Sequence, residues 1–397
     1  MHALDVRRGR NALWAPVALA AVTVAIGVAC LLADTGLGVD SSVYRAGALA
    51  VLKAEPLYEH LTELPEWAPE LPFTYPPFAA LVFLPLSVLP TQLAWCVPAV
   101  ASAFGLAATL RAFGPARLLL PLLALSLCLE PVWRGLGLGQ VNVVLMAIVV
   151  VDVLVLKGSR RSGVLIGIAA AVKLTPLIFI VHLWLTGRRT DAVRAVATFA
   201  GLTALGAVVL PGDSVRYWTS AVFGEHMESW KAWFGNQSLH GVLTRLGDGA
   251  GWSVVAFVLV AGFCAAVTAL LVRRLHASGD AAGALLVTAC CGLLVSPISW
   301  THHWVWVVAL AGYLAGAGYR FLLAGVVAVF CGAALASVPG GGGVEHHWNA
   351  VEFVFGNAYT FVTVAGLVLA WRSSRGVVRP RARPELGVGG ALRSPRD

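Results

Sequence analysis

Leu13–Ala33, LWAPVALAAVTVAIGVACLLA, is an uncharged run of about 20 apolar residues, enough to cross a bilayer as one helix. It exceeds a signal-peptide core and has no convincing cleavage site, so it is expected to stay as a first membrane helix. Arg7, Arg8 and Arg10 precede it, which puts the N-terminus in the cytoplasm and the residues after Ala33 outside. The first polar stretch on that outer side is Gly38-Val39-Asp40-Ser41-Ser42-Val43-Tyr44-Arg45. If Ser42 or a residue before it caps a helix over Val43–Lys53, that helix lies on the bilayer surface, with Arg45 about one turn beyond Asp40. Asp40 is then either a helix cap or a carboxylate kept ionised by interfacial water while facing a cleft between helices.

The rest of the composition agrees with a membrane protein. Of 397 residues, 58% are hydrophobic and 12% charged, against about 25% charged in soluble domains, and the mean hydropathy is +0.81. The net charge of +8 resides in arginines at the ends of apolar runs and in the tail, a topology signal rather than a nucleic-acid footprint. All seven cysteines lie inside apolar runs without metal-ligand spacing, as packing residues.

Along the chain, 34–73 is expected as a first external loop holding the interfacial helix. Phe78–Leu89 is short for a span, and Thr91–Ala112, Arg117–Leu129 and Val141–Leu156 follow. Several of these are too short or too proline-broken for a plain crossing, so irregular backbone is expected to line a cavity rather than lipid. Val164–Leu185 has basic residues at both ends (Lys157, Arg160, Arg161; Arg188, Arg189) and a break at Lys173-Leu174-Thr175-Pro176. That pattern suggests a hairpin of two half-helices with Lys173 near its tip. A second external loop is expected over 211–246, and further spans run to Trp371. The expected whole is an all-α integral membrane bundle of about eleven or twelve transmembrane or half-membrane helices. Residues 1–371 form its one domain, and 372–397 a disordered basic cytoplasmic tail.

Ionisable and polar groups at membrane depth are costly and therefore candidates for function. Besides Asp40 and Arg45, Glu130-Pro131-Val132-Trp133-Arg134 runs into Gly139-Gln140-Val141-Asn142. Gln140 and Asn142 suit sugar hydroxyls, or else cap a helix, and Glu130 and Arg134, four apart, suit each other. Lys173 either snorkels to the interface or serves as a compact cation for a lipid phosphate. The loop with Trp230, Lys231, Trp233, Asn236, Gln237, Ser238 and His240 is either part of an aromatic belt or a site where rings stack on a pyranose and amides bond its hydroxyls. Ser296-Pro297-Ile298-Ser299-Trp300-Thr301-His302-His303 places two adjacent histidines at a helix start. They fit interfacial caps, or a site role on phosphate or in proton sharing, better than a metal site, which would need His346 and His347 folded back.

Six runs in order carry a resemblance. They are Val39–Arg45, Tyr75-Pro76-Pro77-Phe78, Gly139–Asn142, Lys173–Pro176, Asn236-Gln237-Ser238-Leu239-His240-Gly241 and Ser296–His303. Together they resemble the actinobacterial polyprenol-phosphate-mannose-dependent α-(1→2)-mannosyltransferases of glycosyltransferase family 87, over roughly Asp34 to Trp371. The resemblance implies a GT-C fold on the plasma membrane, with the active site on its outer face. It implies a β-linked mannosyl phosphate lipid as donor, a glycolipid acceptor of phosphatidylinositol mannoside or lipomannan type, and an inverting displacement without cofactor or essential metal. On the matching positions it implies Asp40 as general base, assisted by His302 or His303. Arg45 and Lys173 would hold the donor phosphate, with Tyr75, Gln140, Asn142, Trp230, Asn236, Gln237, Ser238 and His240 around sugar and acceptor. A GT-C transferase of another lipid-linked sugar such as arabinose, and a transporter or flippase of lipid-linked sugars, are the alternatives. The transporter is favoured by the hairpin-like segment and disfavoured by the absence of repeats.

Overall fold

The computed structural model describes residues 2–223 and 230–374, with side chains from Trp14 onward. Among these residues the chain is helical and has no strand, only one isolated bridge between Asn236 and Trp300. The first helices are α1 (His2–Leu32), α2 (Val39–Lys53), α3 (Pro77–Phe83), α4 (Thr91–Phe113), α5 (Leu119–Leu127), α6 (Glu130–Leu138) and α7 (Asn142–Val150). Then come α8 (Val164–Val172), α9 (Ile178–Leu185), α10 (Arg189–Val209), α11 (Pro211–Thr219), α12 (Leu239–Leu246) and α13 (Trp252–Ala277). The last are α14 (Ala281–Val295), α15 (Val307–Ala317), α16 (Arg320–Phe330), α17 (Ala333–Ala336), α18 (Ala350–Gly356) and α19 (Ala358–Ser374). Most of the expected tail, 375–397, lies outside the described residues, and Arg372–Ser374 continue α19.

Among the described residues four helices are long and apolar enough to cross a membrane: Trp14–Leu32 of α1, α4, α10 and α13. Two bent pairs, at 67° and 72°, and five shorter apolar helices bring the apolar segments among the described residues to eleven. Their burial separates centre from rim. The α4 window is 67% buried, against 11% for α13 and 17% for α10, so α4 is the axis of the bundle while α10 and α13 turn their apolar surface outward. Small residues let α4 be that axis: a Cβ added to Gly105 would lie 3.3 Å from both the Ala147 Cβ and the Val143 carbonyl of α7.

The segment 164–185 is the hairpin its charges suggest. Lys173 is extended (φ −149°, ψ 134°) between α8 and α9, which ends the helix just before the Thr175–Leu177 turn with Pro176. The basic residues beyond α9 return to the start of α8. Arg188 donates to the Val153 carbonyl at 2.9 Å and to the Ser162 hydroxyl, and Ser162 donates to Asp191 at 2.8 Å. Asp152 caps α8 from outside it, accepting from Gly163 N (2.6 Å) and Ile166 N (3.1 Å). Both arms pack on α10, and the clamp at their ends leaves Lys173 at the far tip.

The helix expected over Val43–Lys53 begins earlier, at Val39. Beyond it the Pro- and Glu-rich stretch is ordered by ties to α11: Leu57 N donates to Asp213 at 2.9 Å, Arg216 pairs with Glu59, and Tyr58 lies 5.4 Å from Tyr217 ring to ring.

Candidate active site

Two glycines bring the site together. Gly38, before α2, and Gly139, after α6, have φ of 78° and 74°, a conformation that L side chains rarely adopt. A Cβ on either would run into the Ser41 hydroxyl and the Trp95 ring. The close approach sets Asp40, second residue of α2, against Gln140, the first residue after Gly139. No side chain caps α2, so Asp40 is not the helix cap. Ser41 and Ser42 donate back to the carbonyls of Gly38 (3.0 Å) and Val39 (2.6 Å).

Gln140 is the hub. Its side chain hydrogen-bonds the Asp40 carboxylate, and its Oε1 accepts from the hydroxyls of Tyr44 (3.1 Å) and Tyr75 (3.3 Å), which lie 2.7 Å apart. Tyr44 is fully buried and stacks on Phe83 at 4.4 Å, so the polar end of this aromatic cluster has one orientation. Asp40 lies outside the membrane-spanning segments. Burial raises its carboxyl above the ordinary 3.8, opposed by the Gln140 bond and by the charges of Lys173 and Arg134.

Asn142 joins the hairpin tip to the histidines. Its Oδ1 accepts from Lys173 Nζ at 2.9 Å, and its Nδ2 donates to the His302 carbonyl at 3.0 Å. Lys173 Nζ is also 3.3 Å from His303 Nε2 and 5.3 Å from the Tyr75 ring centroid. The two imidazoles stand edge-on at 4.8 Å, and His302 Nε2 is buried without a hydrogen-bond partner among the described residues. Asp40, Tyr75, Gln140, Asn142, Lys173, His302 and His303, drawn from five stretches of chain, thus form one cluster. Beside it opens a cavity whose polar edge includes Asn142, Thr175, Ser296, Ser299 and His303 and whose apolar walls include Leu145, Met146, Ile178, Phe179 and Trp306.

The cations divide differently from the sequence expectation. Arg45 turns its Nε onto the Leu89 carbonyl at 2.8 Å and is not among the charges acting on Asp40. Arg134 is. Its spacing to Glu130 suggests a self-contained pair, and the two are 3.5 Å apart. But Glu130 also accepts from Thr301 (2.7 Å) and Tyr359 (3.1 Å), which fixes α6 to the histidine turn and to α19. Arg134 extends from that anchor across the Trp233 ring, 5.8 Å from its centroid.

The Asn236–His240 run is also corrected. Asn236, Gln237 and Ser238 are completely buried, and their side chains are taken up by backbone atoms rather than turned to a cleft. Asn236 donates to Lys231 O (3.0 Å) and Pro297 O (3.3 Å) and accepts from Ser299 N (3.0 Å). Gln237 donates to the carbonyls of Phe234 and Gly356, each at 2.7 Å, and accepts from Tyr359 N at 3.3 Å. Ser238 caps α12, accepting from Gly241 N at 3.1 Å, and the His240 ring stacks on Phe257 at 4.6 Å. These residues fasten the second loop to the turn before the histidines. Trp230 and Trp233 of the loop and Trp300 of the turn before the histidines form a triangle with centroid separations of 6.0, 5.9 and 5.4 Å. Among the described residues no group of three or more His, Cys, Asp or Glu side chains is disposed to hold a metal ion.

A family model described as Glycosyltransferase family 87 matches residues 73–297. A similar protein is the polyprenol-phosphate-mannose-dependent alpha-(1-2)-phosphatidylinositol mannoside mannosyltransferase of Mycobacterium tuberculosis, 33% identical over 338 residues, 79% of each chain. The protein of that name from Mycolicibacterium smegmatis is 33% identical over 316 residues, 71% of this chain and 70% of its own. A polyprenol-phosphate-mannose-dependent alpha-(1-2)-phosphatidylinositol pentamannoside mannosyltransferase of M. tuberculosis is 35% identical over 291 residues, 70% of this chain and 66% of that one. No solved structure matches.

Proposed function

The chain belongs to glycosyltransferase family 87 and is a membrane glycosyltransferase; from that premise we propose that it moves mannose from polyprenyl-phosphate-mannose to a hydroxyl of a phosphatidylinositol mannoside type glycolipid. The new bond is α-1,2, as in the names of its relatives, and the reaction takes place on the outer face of the plasma membrane. The observation that carries this is the half-buried carboxylate of Asp40 facing Lys173 across Gln140 and Asn142. An inverting transfer needs that pair of charges. The acceptor oxygen attacks the anomeric carbon as its proton passes to Asp40, and the bond from that carbon to the phosphate oxygen breaks on the opposite side. The electron pair leaves with the polyprenyl phosphate, which needs cations rather than an acid. Lys173 and Arg134 supply the charge, and the imidazoles of His302 and His303 line the same side. The apolar walls of the cavity beside Asn142 and His303 are suited to the first prenyl units of the donor.

The test is transfer by the purified protein in detergent, with polyprenyl-phosphate-mannose, a phosphatidylinositol mannoside acceptor and EDTA present. An α-1,2-linked product that falls by 10²–10⁴ in Asp40→Asn is expected, the range for losing a positioned general base. The substitution should not unfold the protein, because burial disfavours the ionised form that Asn replaces. Transfer from a different lipid-linked sugar would retain the fold and overturn the donor. Full activity in Asp40→Asn would overturn the base.

A further inference from the structure

The tryptophan triangle has a second wall. Trp230 and Trp233 face the turn of Gly341, Gly342, Gly343 and Glu345 across an open pocket. The three glycines have φ of 94°, 67° and 84°, and a Cβ on any of them would meet nothing within 4 Å. This backbone keeps the wall free of side chains, so the space before the indoles stays open. Glu345 holds the turn in place: it is 2% exposed, and its Oε1 accepts from Gly341 N (2.7 Å) and from Phe234 N (3.3 Å) of the tryptophan loop. Trp230 is 43% exposed. Among the described residues that line the pocket there is no Lys or Arg; its ionisable side chains are the buried Glu345 and His346, whose Nδ1 lies 3.3 Å from Asp248. What the walls offer is apolar ring faces on one side and polar backbone on the other, which matches a pyranose with its C–H face and its hydroxyl edge. Trp233 lies under the Arg134 guanidinium, whose charge acts on Asp40, so the pocket is one side chain removed from the base.

We propose that this pocket holds a sugar ring of the acceptor glycan that lies one or more residues behind the attacked hydroxyl, so that acceptors are selected by glycan length. The inference rests on the transferase function above. It adds a recognition site at Trp230, Trp233 and the 341–343 turn, none of which takes part in the displacement.

The experiment compares octyl α-mannoside with an octyl α-oligomannoside as acceptors for the full-length protein. The wild type should favour the longer acceptor, and in Trp230→Ala the ratio of kcat/KM, long over short, should fall roughly tenfold, about the size of one aromatic stacking contact. Trp230→Phe, which keeps a ring, should recover most of that ratio. Equal losses on both acceptors, or no length preference in the wild type, would overturn the subsite and leave the transferase standing. If the wild type transfers nothing, quenching of tryptophan fluorescence by a soluble methyl oligomannoside still decides the pocket: saturable quenching that Trp230→Ala abolishes supports it, and none refutes it.

Discussion

Replacing Arg134 by Gln removes a cation whose charge reaches Asp40 and that its spacing to Glu130 hides. For a phosphate oxygen about 5 Å from the guanidinium, at an effective dielectric constant of about 20, one unit charge is worth roughly 3 kcal/mol. The Arg134 side chain is one-third exposed, and solvent screening reduces this to about half. The expected loss is therefore 1.5–2 kcal/mol of transition-state stabilisation, about 10- to 30-fold in kcat. Lys173 remains, so activity should be weakened rather than abolished. Folding should change little, since Glu130 keeps Thr301 and Tyr359 as partners. Arg45→Gln is the control, because that side chain is turned to the Leu89 carbonyl, and its kcat should stay within about threefold. Initial rates at saturating donor and acceptor, on detergent-purified protein checked for monodispersity, give the comparison. A larger loss in Arg45→Gln than in Arg134→Gln would place the phosphate elsewhere and refute the argument.

Four further outcomes follow from the same geometry. Burial raises the Asp40 carboxyl above 3.8, so the base form is lost at a higher pH than for a free aspartate, and the acid limb of kcat/KM should be displaced upward. Lys173→Gln removes a charge that holds this pKa down, so the limb should move further up; a shift toward acid would show that Asp40 is not the group titrating. Gly139→Ala forces a Cβ against Ser41 and Trp95 at a positive φ, and should lower the melting temperature and kcat together, at a cost of about 1–3 kcal/mol, read by thermal unfolding and single-time-point transfer. Gln237→Ala strips fully buried backbone groups of their partners and should cost about 1–3 kcal/mol of stability without raising acceptor KM relative to donor KM; a selective rise in acceptor KM would return this residue to the sugar site.

The parts of the site legible in the sequence are polar residues that an apolar context makes conspicuous. Asp40, Gln140, Asn142, Lys173 and the His302–His303 pair all stand at the edges of apolar runs, where a side chain without a partner would be costly, and the fold brings them together. The hairpin tip was legible for the same reason, from basic residues at both ends of one apolar run. Arg134 was hidden because an i,i+4 spacing to an acid is the ordinary sign of a local pair. Only the tertiary claims of Thr301 and Tyr359 on Glu130 show where that pair points. Asn236 to Ser238 misled in the other direction. Amides among tryptophans suit a sugar, but which carbonyls they meet depends on loops more than 50 residues away, at Pro297 and Gly356. The early start of α2 was likewise out of reach of capping rules, since a left-handed glycine rather than a serine begins it.

The hairpin has a mechanical consequence. Lys173 is carried on two arms whose far ends are gripped by Asp152, Ser162, Arg188 and Asp191, and a nine-residue arm is about 13 Å long. Such a cantilever converts a small rotation at its root into a larger displacement at its tip. The position of the Lys173 ammonium is thus gauged from the root of the hairpin, and on the proposed function damage to the grip would surface as a fault in catalysis.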